Sequence, residues 1–482
     1  MIERSKVTRI KKSLGSKLLK LYFNNELLDE IDKVPIKRNP KSASSLRCCI
    51  YKDRAMSRYR LMALMGIDIE REDDEFKPLS EFAQIALDRE KPNNDKPISI
   101  VDMSCVACQQ HTYIVTDICK GCEARPCETN CPKNSIRIIN GKSIIDYETC
   151  VSCGKCYQVC PYKAIVYSPV PCEEVCPVDA IYRDEQTGKE IINYDKCIYC
   201  GRCIQACPFG TIVERSQILY VAKQIKNKTD KKPIVAMLAP SIVGQFPGSV
   251  KQIISALKQI GFDYVYEVAY GADITAKLEA EEIIERSNDN GFLMGTSCCP
   301  SYVESVNKHV KEFKKYISSA KTPMAYTAEF AKQKLPDCKT VFIGPCVAKK
   351  LEGYHNKHVD YVLTFEELSS FFLALNTEIT ALQDSEYDTI DATAEARHFC
   401  ISGGVAESVK YYVKQIDPEI KLKPYLINGL GRKGLRELKN AAKGKIDANL
   451  IECMSCEGGC LAGPGVNVSS KISVRKLNSM HY

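Results

Sequence analysis

Twenty-six cysteines, most of them in closely spaced runs, constrain this chain more than any other feature. Cys119, Cys122, Cys127 and Cys131-Pro132 form a C-x2-C-x4-C-x3-C-P run. Cys150, Cys153, Cys156 and Cys160-Pro161 form C-x2-C-x2-C-x3-C-P, and Cys197, Cys200, Cys203 and Cys207-Pro208 repeat it. Three thiolates so spaced cap three irons of one [4Fe-4S] cube, and a helical turn carries the fourth cysteine over to a second cube. Proline then ends that turn. Zinc knuckles, the competing use of such spacing, usually intersperse His and leave the C-P ending unexplained. In a chain of 482 residues such runs argue for metal rather than a disulfide scaffold, and for a reducing, anaerobic cytoplasm.

The runs form an internal repeat. Arg125-Pro126-Cys127-Glu128-Thr129-Asn130-Cys131-Pro132 parallels Val170-Pro171-Cys172-Glu173-Glu174-Val175-Cys176-Pro177, and each precedes a C-x2-C-x2-C-x3-C-P run. One cube is then expected on Cys119, Cys122, Cys127 and Cys160, and a second on Cys131, Cys150, Cys153 and Cys156. A third falls to Cys176, Cys197, Cys200 and Cys203. Cys172 and Cys207 lack a preceding C-x-x-C, because Ala164 and Tyr167 occupy those places. An upstream pair, Cys105 and Cys108, closes a fourth set, so three or four accessory [4Fe-4S] clusters are expected. Ala164-Ile165-Val166, Ala180-Ile181 and Thr211-Ile212-Val213 read as short strands of an α+β, bacterial ferredoxin-like repeat.

Beyond the repeats, Pro233 to Ser241 reads as a buried strand ending in a polar loop, and Val341-Phe342-Ile343 as another. Helical patterns run from Val250 to Ile260 and from Thr275 to Arg286, and Cys346 lies just past the second strand. Ligands at the carboxyl ends of strands suit an open α/β sheet. Three motifs stand here: Thr296-Ser297-Cys298-Cys299-Pro300, Gly344-Pro345-Cys346-Val347-Ala348-Lys349, and Glu452-Cys453-Met454-Ser455-Cys456-Glu457-Gly458-Gly459-Cys460. In this order they resemble the three signature motifs of the [FeFe]-hydrogenases, a resemblance covering roughly residues 145–465.

That resemblance implies an α/β catalytic domain, the iron hydrogenase H-cluster fold, at 231–482. It would follow a multi-[4Fe-4S] domain at 96–220 and a charged, helical region at 1–95. It implies that Cys299, Cys346, Cys456 and Cys460 ligate a [4Fe-4S] cube. Cys460 would bridge to a two-iron subcluster carrying CO, cyanide and a dithiolate, the whole being the H-cluster. Lys349 matches the lysine that hydrogen-bonds one cyanide, Ser241 lies in the turn that touches the other, and Met454 matches a family methionine. Cys298 matches the thiol that passes protons without ligating iron, and Glu279, Ser319, Glu282 and Arg286 fill the remaining places of the relay. Glu279 and Glu282 are three residues apart on one helix face, which by itself reads as a solvated surface. Thiol, carboxyl and hydroxyl can each give and take a proton. The family's two-cluster arrangement also offers a rival ligation, joining Cys150, Cys153 and Cys156 to Cys207, and Cys197, Cys200 and Cys203 to Cys160. Tyr302 replaces a common Trp, Gly344 a common Met, and Gly463-Pro464-Gly465-Val466 a segment ending in Gln-Pro. These departures mark a divergent, group B-like member with extra room beside Gly344.

The implied reaction interconverts dihydrogen with protons and electrons, with maturases supplying the cofactor. No G-x-G-x-x-G follows a strand, so a ferredoxin or similar small redox protein is the expected partner. A non-catalytic Fe–S assembly relative and a hydrogen sensor are the alternatives. The formal net charge of +7 is offset by cubes of about −2 each, so nucleic-acid binding is not read from it. No apolar run reaches membrane-spanning length. The basic first 22 residues suggest an organelle presequence, as for a hydrogenosome, or a basic surface helix. Cys48 and Cys49 read as buried thiols on a packing helix, and 91–97 and 223–232 as linkers.

Overall fold

The computed structural model describes residues 5–72, 74–91, 96–105, 108, 112–287 and 292–479. Pro92 to Asp95, most of the first expected linker, lie outside these. Helix α1 (Lys6–Phe23) begins behind Ser5, whose side chain accepts a bond from the Thr8 amide. It is not a surface helix. Leu14, Leu18, Leu19 and Leu21 recur at helical spacing between the lysines, and that stripe is buried in the main core. Helix α2 (Ile50–Leu64) adds Met56, Leu61 and Met62 to the same core. Cys48 and Cys49 are exposed rather than buried. They precede the first turn of α2, with Cys49 extended at its N-cap, and so never reach its packed face.

The cysteine-rich part is built from short pieces. Its strands are β1 (Ile98–Ile100), β2 (Tyr113–Val115), β3 (Ile136–Ile139), β4 (Lys142–Ile145), β5 (Ile165–Tyr167), β6 (Ile181–Arg183), β7 (Glu190–Ile192) and β8 (Ile212–Glu214). They pair antiparallel as β1–β8, β2–β5, β3–β4 and β6–β7. Single-turn helices α3 (Pro171–Glu174) and α4 (Arg202–Ala206) carry cysteines between them. The three strands expected at Ile165, Ile181 and Ile212 are present. The expected linker at 223–232 begins inside helix α5 (Ile218–Lys226), whose Val221, Ala222 and Ile225 are buried in the core. Its lysines punctuate an amphipathic helix.

The C-terminal half runs β9 (Ile234–Leu238), β10 (Tyr264–Glu267), α6 (Val268–Ser287), β11 (Met294–Gly295), α7 (Pro300–His309), α8 (Pro323–Lys334), β12 (Lys339–Gly344), α9 (Ala348–His355), β13 (Tyr361–Thr364), α10 (Phe365–Ala374), α11 (Gly404–Ile416), β14 (Pro424–Asn428) and β15 (Leu450–Met454). Two parallel sheets result, ordered β10-β9-β12-β13 and β11-β15-β14. Every residue of β9 and β15 is buried, as parallel strands covered on both faces require. Leu238 sits beside Ile343, and Gly295 beside Ile451, so strand carboxyl ends lie side by side within each sheet. Helix α6 packs close against α8. A Cβ at Gly271 would lie 2.2 Å from the Pro323 carbonyl oxygen, so only glycine permits that approach. Helix α1 docks on α10, where the Thr8 hydroxyl donates to Glu366 (3.1 Å). The N-terminal helices therefore share one apolar core with the first parallel sheet.

Candidate active site

Four loops leave the carboxyl ends of β9, β11, β12 and β15, two from each sheet, and carry Ser241, Cys298 with Cys299, Cys346, and Cys456 with Cys460. These residues line one cavity of about 100 Å³. Its remaining wall is largely apolar: Val268 and Ala272 of α6, Pro323 and Met324 of α8, Phe342, Phe399 and Met454. Cys299, Cys346, Cys456 and Cys460 are mutual electrostatic neighbours, although they come from three distant segments. Burial pushes the Cys346 thiol up to about 12, with Cys299 beside it adding to the rise and Lys349 opposing it. Buried thiols such as those of Cys346, Cys456 and Cys460 are poor acids alone and good ligands for a metal that displaces their protons.

Two further observations test whether a cyanide-bearing cluster fits. The Ser241 hydroxyl lines the cavity, buried and without a hydrogen-bond partner among the described residues. An unsatisfied donor at such a place calls for an acceptor. Lys349 also lines the cavity, its ammonium 2.6 Å from Glu352 Oε2. Burial opposes that charge, but Glu352 and the Cys346 and Cys298 thiols hold it above the usual lysine range. A fixed cation, a free hydroxyl and four thiols fit an H-cluster. The room expected beside Gly344 is absent. The Phe342 ring fills it, and a Cβ at Gly344 would lie 2.6 Å from that ring.

Behind Cys298 stands Glu279, fully buried on α6. Its Oε1 accepts from the Ser297 amide (2.9 Å) and hydroxyl (3.1 Å), while Oε2 has no partner among the described residues. Burial lifts Glu279 to about 8, reinforced by Glu282 and Glu452 and opposed by the Ser297 bonds. Burial likewise pushes the Cys298 thiol well up, with Glu279 the next contributor. Nearer the surface, Glu282 Oε2 accepts from the Ser318 hydroxyl (2.7 Å), the Ser319 amide (3.0 Å) and the Ser319 hydroxyl (3.3 Å). Glu282 Oε1 takes the Arg286 guanidinium at 2.5 Å. Ser319 is exposed and its hydroxyl is the longer contact; buried Ser318 is the closer partner, one residue from the expected position. Sequence reasoning also missed Ser297, which tethers Glu279, and Cys400, which lines the cavity beside Cys460. Glu352 was within reach of the sequence, being three residues after Lys349 on one helix. Cys400 has no neighbour in a ligand-like spacing to betray it.

The accessory cysteines gather as well. Cys131, Cys150 and Cys153 surround Cys156, and Cys176 neighbours Cys197, Cys200 and Cys203. Cys119 and Cys127 both meet Ser143; Cys122 is half-buried and Cys160 buried. Cys105, Cys108, Cys172 and Cys207 form another group. Among the described residues no three donors close on a single ion. The third set abuts the catalytic one, since Cys200 lines the same cavity and neighbours Cys456. Arg202 donates across that seam to the Ser455 carbonyl (2.6 Å). A Cβ at Gly201, whose φ is +74°, would lie 2.7 Å from Pro464.

Residues 232–464 match the family model described as the iron only hydrogenase large subunit, C-terminal domain. Residues 143–166 match a 4Fe-4S binding domain, and 166–218 the LdpA Fe-S cluster-binding domain. This chain is an iron-only-hydrogenase-like protein. Iron hydrogenase 1 of Clostridium pasteurianum is 29% identical to the hydrogenase-like chain over 315 residues, covering 53% of it and 54% of the relative. The match therefore spans about half that relative's length. The periplasmic [Fe] hydrogenase large subunit of Nitratidesulfovibrio vulgaris is 28% identical, over 67% of this chain and 85% of its own. A probable cytosolic Fe-S cluster assembly factor of Drosophila mojavensis is 26% identical, over 43% of this chain and 54% of its own. A solved apo [FeFe]-hydrogenase from Chlamydomonas reinhardtii aligns with TM-score 0.45 and 20% identity, covering 52% and 85% of the two chains. Among the described residues no helix is long and apolar enough to cross a membrane.

Proposed function

We propose that this chain is a ferredoxin-linked [FeFe]-hydrogenase, catalysing H2 + 2 oxidised ferredoxin = 2 H+ + 2 reduced ferredoxin. The observation that carries the reading is the pairing of Cys298, a thiol on the cavity wall, with buried Glu279 behind it. Cys299, Cys346, Cys456 and Cys460 would hold the H-cluster, with Lys349 and Ser241 presented to its anionic diatomic ligands and Met454 beside them. When bound, that group supplies the two-iron centre and the pendant amine at which dihydrogen is made or split. Cys298 exchanges a proton with the cavity. Glu279, held protonated at neutral pH, has Oε2 free to give a proton and recover it. Ser297 fixes the carboxyl so that only this oxygen is available. Glu282, with Ser318 and Ser319, carries the proton to the surface, and Arg286 holds Glu282 in place. Among the described residues no hydrogen bond joins Glu279 to Glu282, so a water completes that step.

Electrons travel through the accessory cubes to the cavity by way of Cys200 and Cys456. The partner is a ferredoxin or another small redox protein, maturases install the cofactor, and the unpaired thiols suit the cytoplasm. A second reading, an Fe–S assembly factor, is favoured by the similarity to the Drosophila protein. A carrier, however, has no use for a protonated carboxyl behind a non-ligating thiol. An infrared spectrum of protein loaded with synthetic diiron cofactor under anaerobic conditions separates the two. The proposal expects CO and cyanide stretches from iron. Intact [4Fe-4S] signals without those stretches would overturn it in favour of the assembly reading.

A further inference from the structure

We propose that Cys105, Cys108, Cys172 and Cys207 hold a fourth accessory [4Fe-4S] cube, which links the cubes beside the catalytic cavity to those of the outlying first repeat. Three separated segments bring these thiols together. Strand β1 pairs with β8 in the register Ile100↔Ile212, and the Val101 amide donates to the Thr211 carbonyl (2.8 Å). The single turn at Asp102–Ser104 then swings Cys105 back toward Cys207, four residues before Thr211. Helix α3, packed on α4, supplies Cys172 from the third side. Cys105, Cys172 and Cys207 belong to one packed cluster, whereas Cys150 and Cys156 belong to another. That division favours this set over one joining Cys207 to Cys150, Cys153 and Cys156.

Cys207 is built like the other cysteines that precede proline. Cys131 accepts the Ser135 amide (3.3 Å), Cys160 that of Ala164 (3.4 Å) and Cys176 that of Ala180 (3.2 Å). Cys207 accepts the Thr211 amide (3.5 Å) and also contacts its hydroxyl at 3.0 Å. An amide aimed at sulfur favours the thiolate that a cube needs. Buried Arg60 of α2 adds a cation beside Cys207 and bonds the Phe209 and Gly210 carbonyls. Such a charge offsets that of an anionic cube.

The set lies between the others. Cys172 neighbours Cys203 of the third set, which abuts the catalytic thiols. On its far side, Glu174 of α3 bonds Tyr167 (2.9 Å), whose ring lies 5.3 Å from that of Tyr113. Tyr113 in turn sits beside Cys153 and Cys156 of the second set. Without a cube here, the first repeat would be an electron store without a wire.

The test uses the full chain, reconstituted anaerobically with iron and sulfide and without diiron cofactor, so it stands apart from any hydrogenase activity. Wild type is expected to hold about twenty irons, five cubes including the catalytic one. Cys105→Ala/Cys108→Ala and Cys172→Ala/Cys207→Ala should each lose about four, and all four changes together should lose no more. About sixteen irons in wild type, or full iron in the Cys105→Ala/Cys108→Ala variant, would overturn the proposal. Alkylation of the unmutated holo-protein checks it independently of variant folding. The four thiols should resist iodoacetamide and become reactive together on chelation; ready labelling of Cys105 and Cys108 while the iron is bound would contradict it.

Discussion

The first repeat, residues 112–168, and the C-terminal half, residues 232–464, hold their cysteines by opposite means. The repeat buries Cys127, Ile136, Ile145 and Ile165, with a few half-buried neighbours, and leaves Ile139, Ile144 and Tyr147 exposed. Its strands are three or four residues long. So little apolar burial cannot offset the entropy of ordering such a segment. Cubes must serve as its core. In the C-terminal half the cysteines that line the cavity follow buried parallel strands, and the apolar packing of the sheets shapes the cavity. We therefore expect the first repeat to need its clusters to fold and the C-terminal half to fold without them.

Chelation should break the two regions apart, and this is the largest effect expected. With iron removed, proteolysis within 112–168 should accelerate by about 100-fold or more, while a fragment spanning 232–464 survives. Equal cleavage of both halves would erase the contrast. A smaller effect probes whether packing shapes the cavity. Gly344→Met drives a Cβ into the Phe342 ring and should cost about 2 kcal/mol, read from the denaturant midpoint. An unchanged midpoint would mean that Phe342 swings aside freely and that the wall is soft.

The smallest effect concerns pH. Folded Glu279 keeps its proton up to about pH 8, whereas the unfolded chain releases it near the ordinary value of 4.5. Between those values the unfolded state binds fewer protons, so this group makes stability fall as pH rises, by at most about 1.4 kcal/mol per unit. Glu279→Gln should flatten the decline in melting temperature between pH 7 and 8. Superimposable profiles would show that the carboxyl is not held neutral.

The same contrast explains what could be read in advance. The gathering of Cys197, Cys200 and Cys203 was legible because their spacing is local to the chain. The strands around Ile234 and Val341 were legible because parallel strands must be continuously apolar. The burial of α1 was not, because its lysines mask a leucine stripe whose partner, α10, lies some 350 residues away. Ser318 went unread beside Ser319, because motif matching carries no information about which neighbouring hydroxyl turns inward. The Phe342 plug went unread although Phe342 and Gly344 stand two residues apart on β12, because spacing alone does not say that the ring folds over the glycine, with Ala239 closing the other side. Exposed Cys48 and Cys49 were misjudged because the helix boundary, not the composition, decides their burial.

The central claim is that Cys298 delivers protons to a catalytic centre. Its most direct test compares mediator-linked dihydrogen oxidation and evolution by cofactor-loaded wild type and Cys298→Ala. The account predicts turnover in wild type, a loss of about 100-fold or more in both directions in the variant, and unchanged CO and cyanide bands. A loaded wild type that neither makes nor consumes dihydrogen, or a variant as fast as wild type, would contradict it.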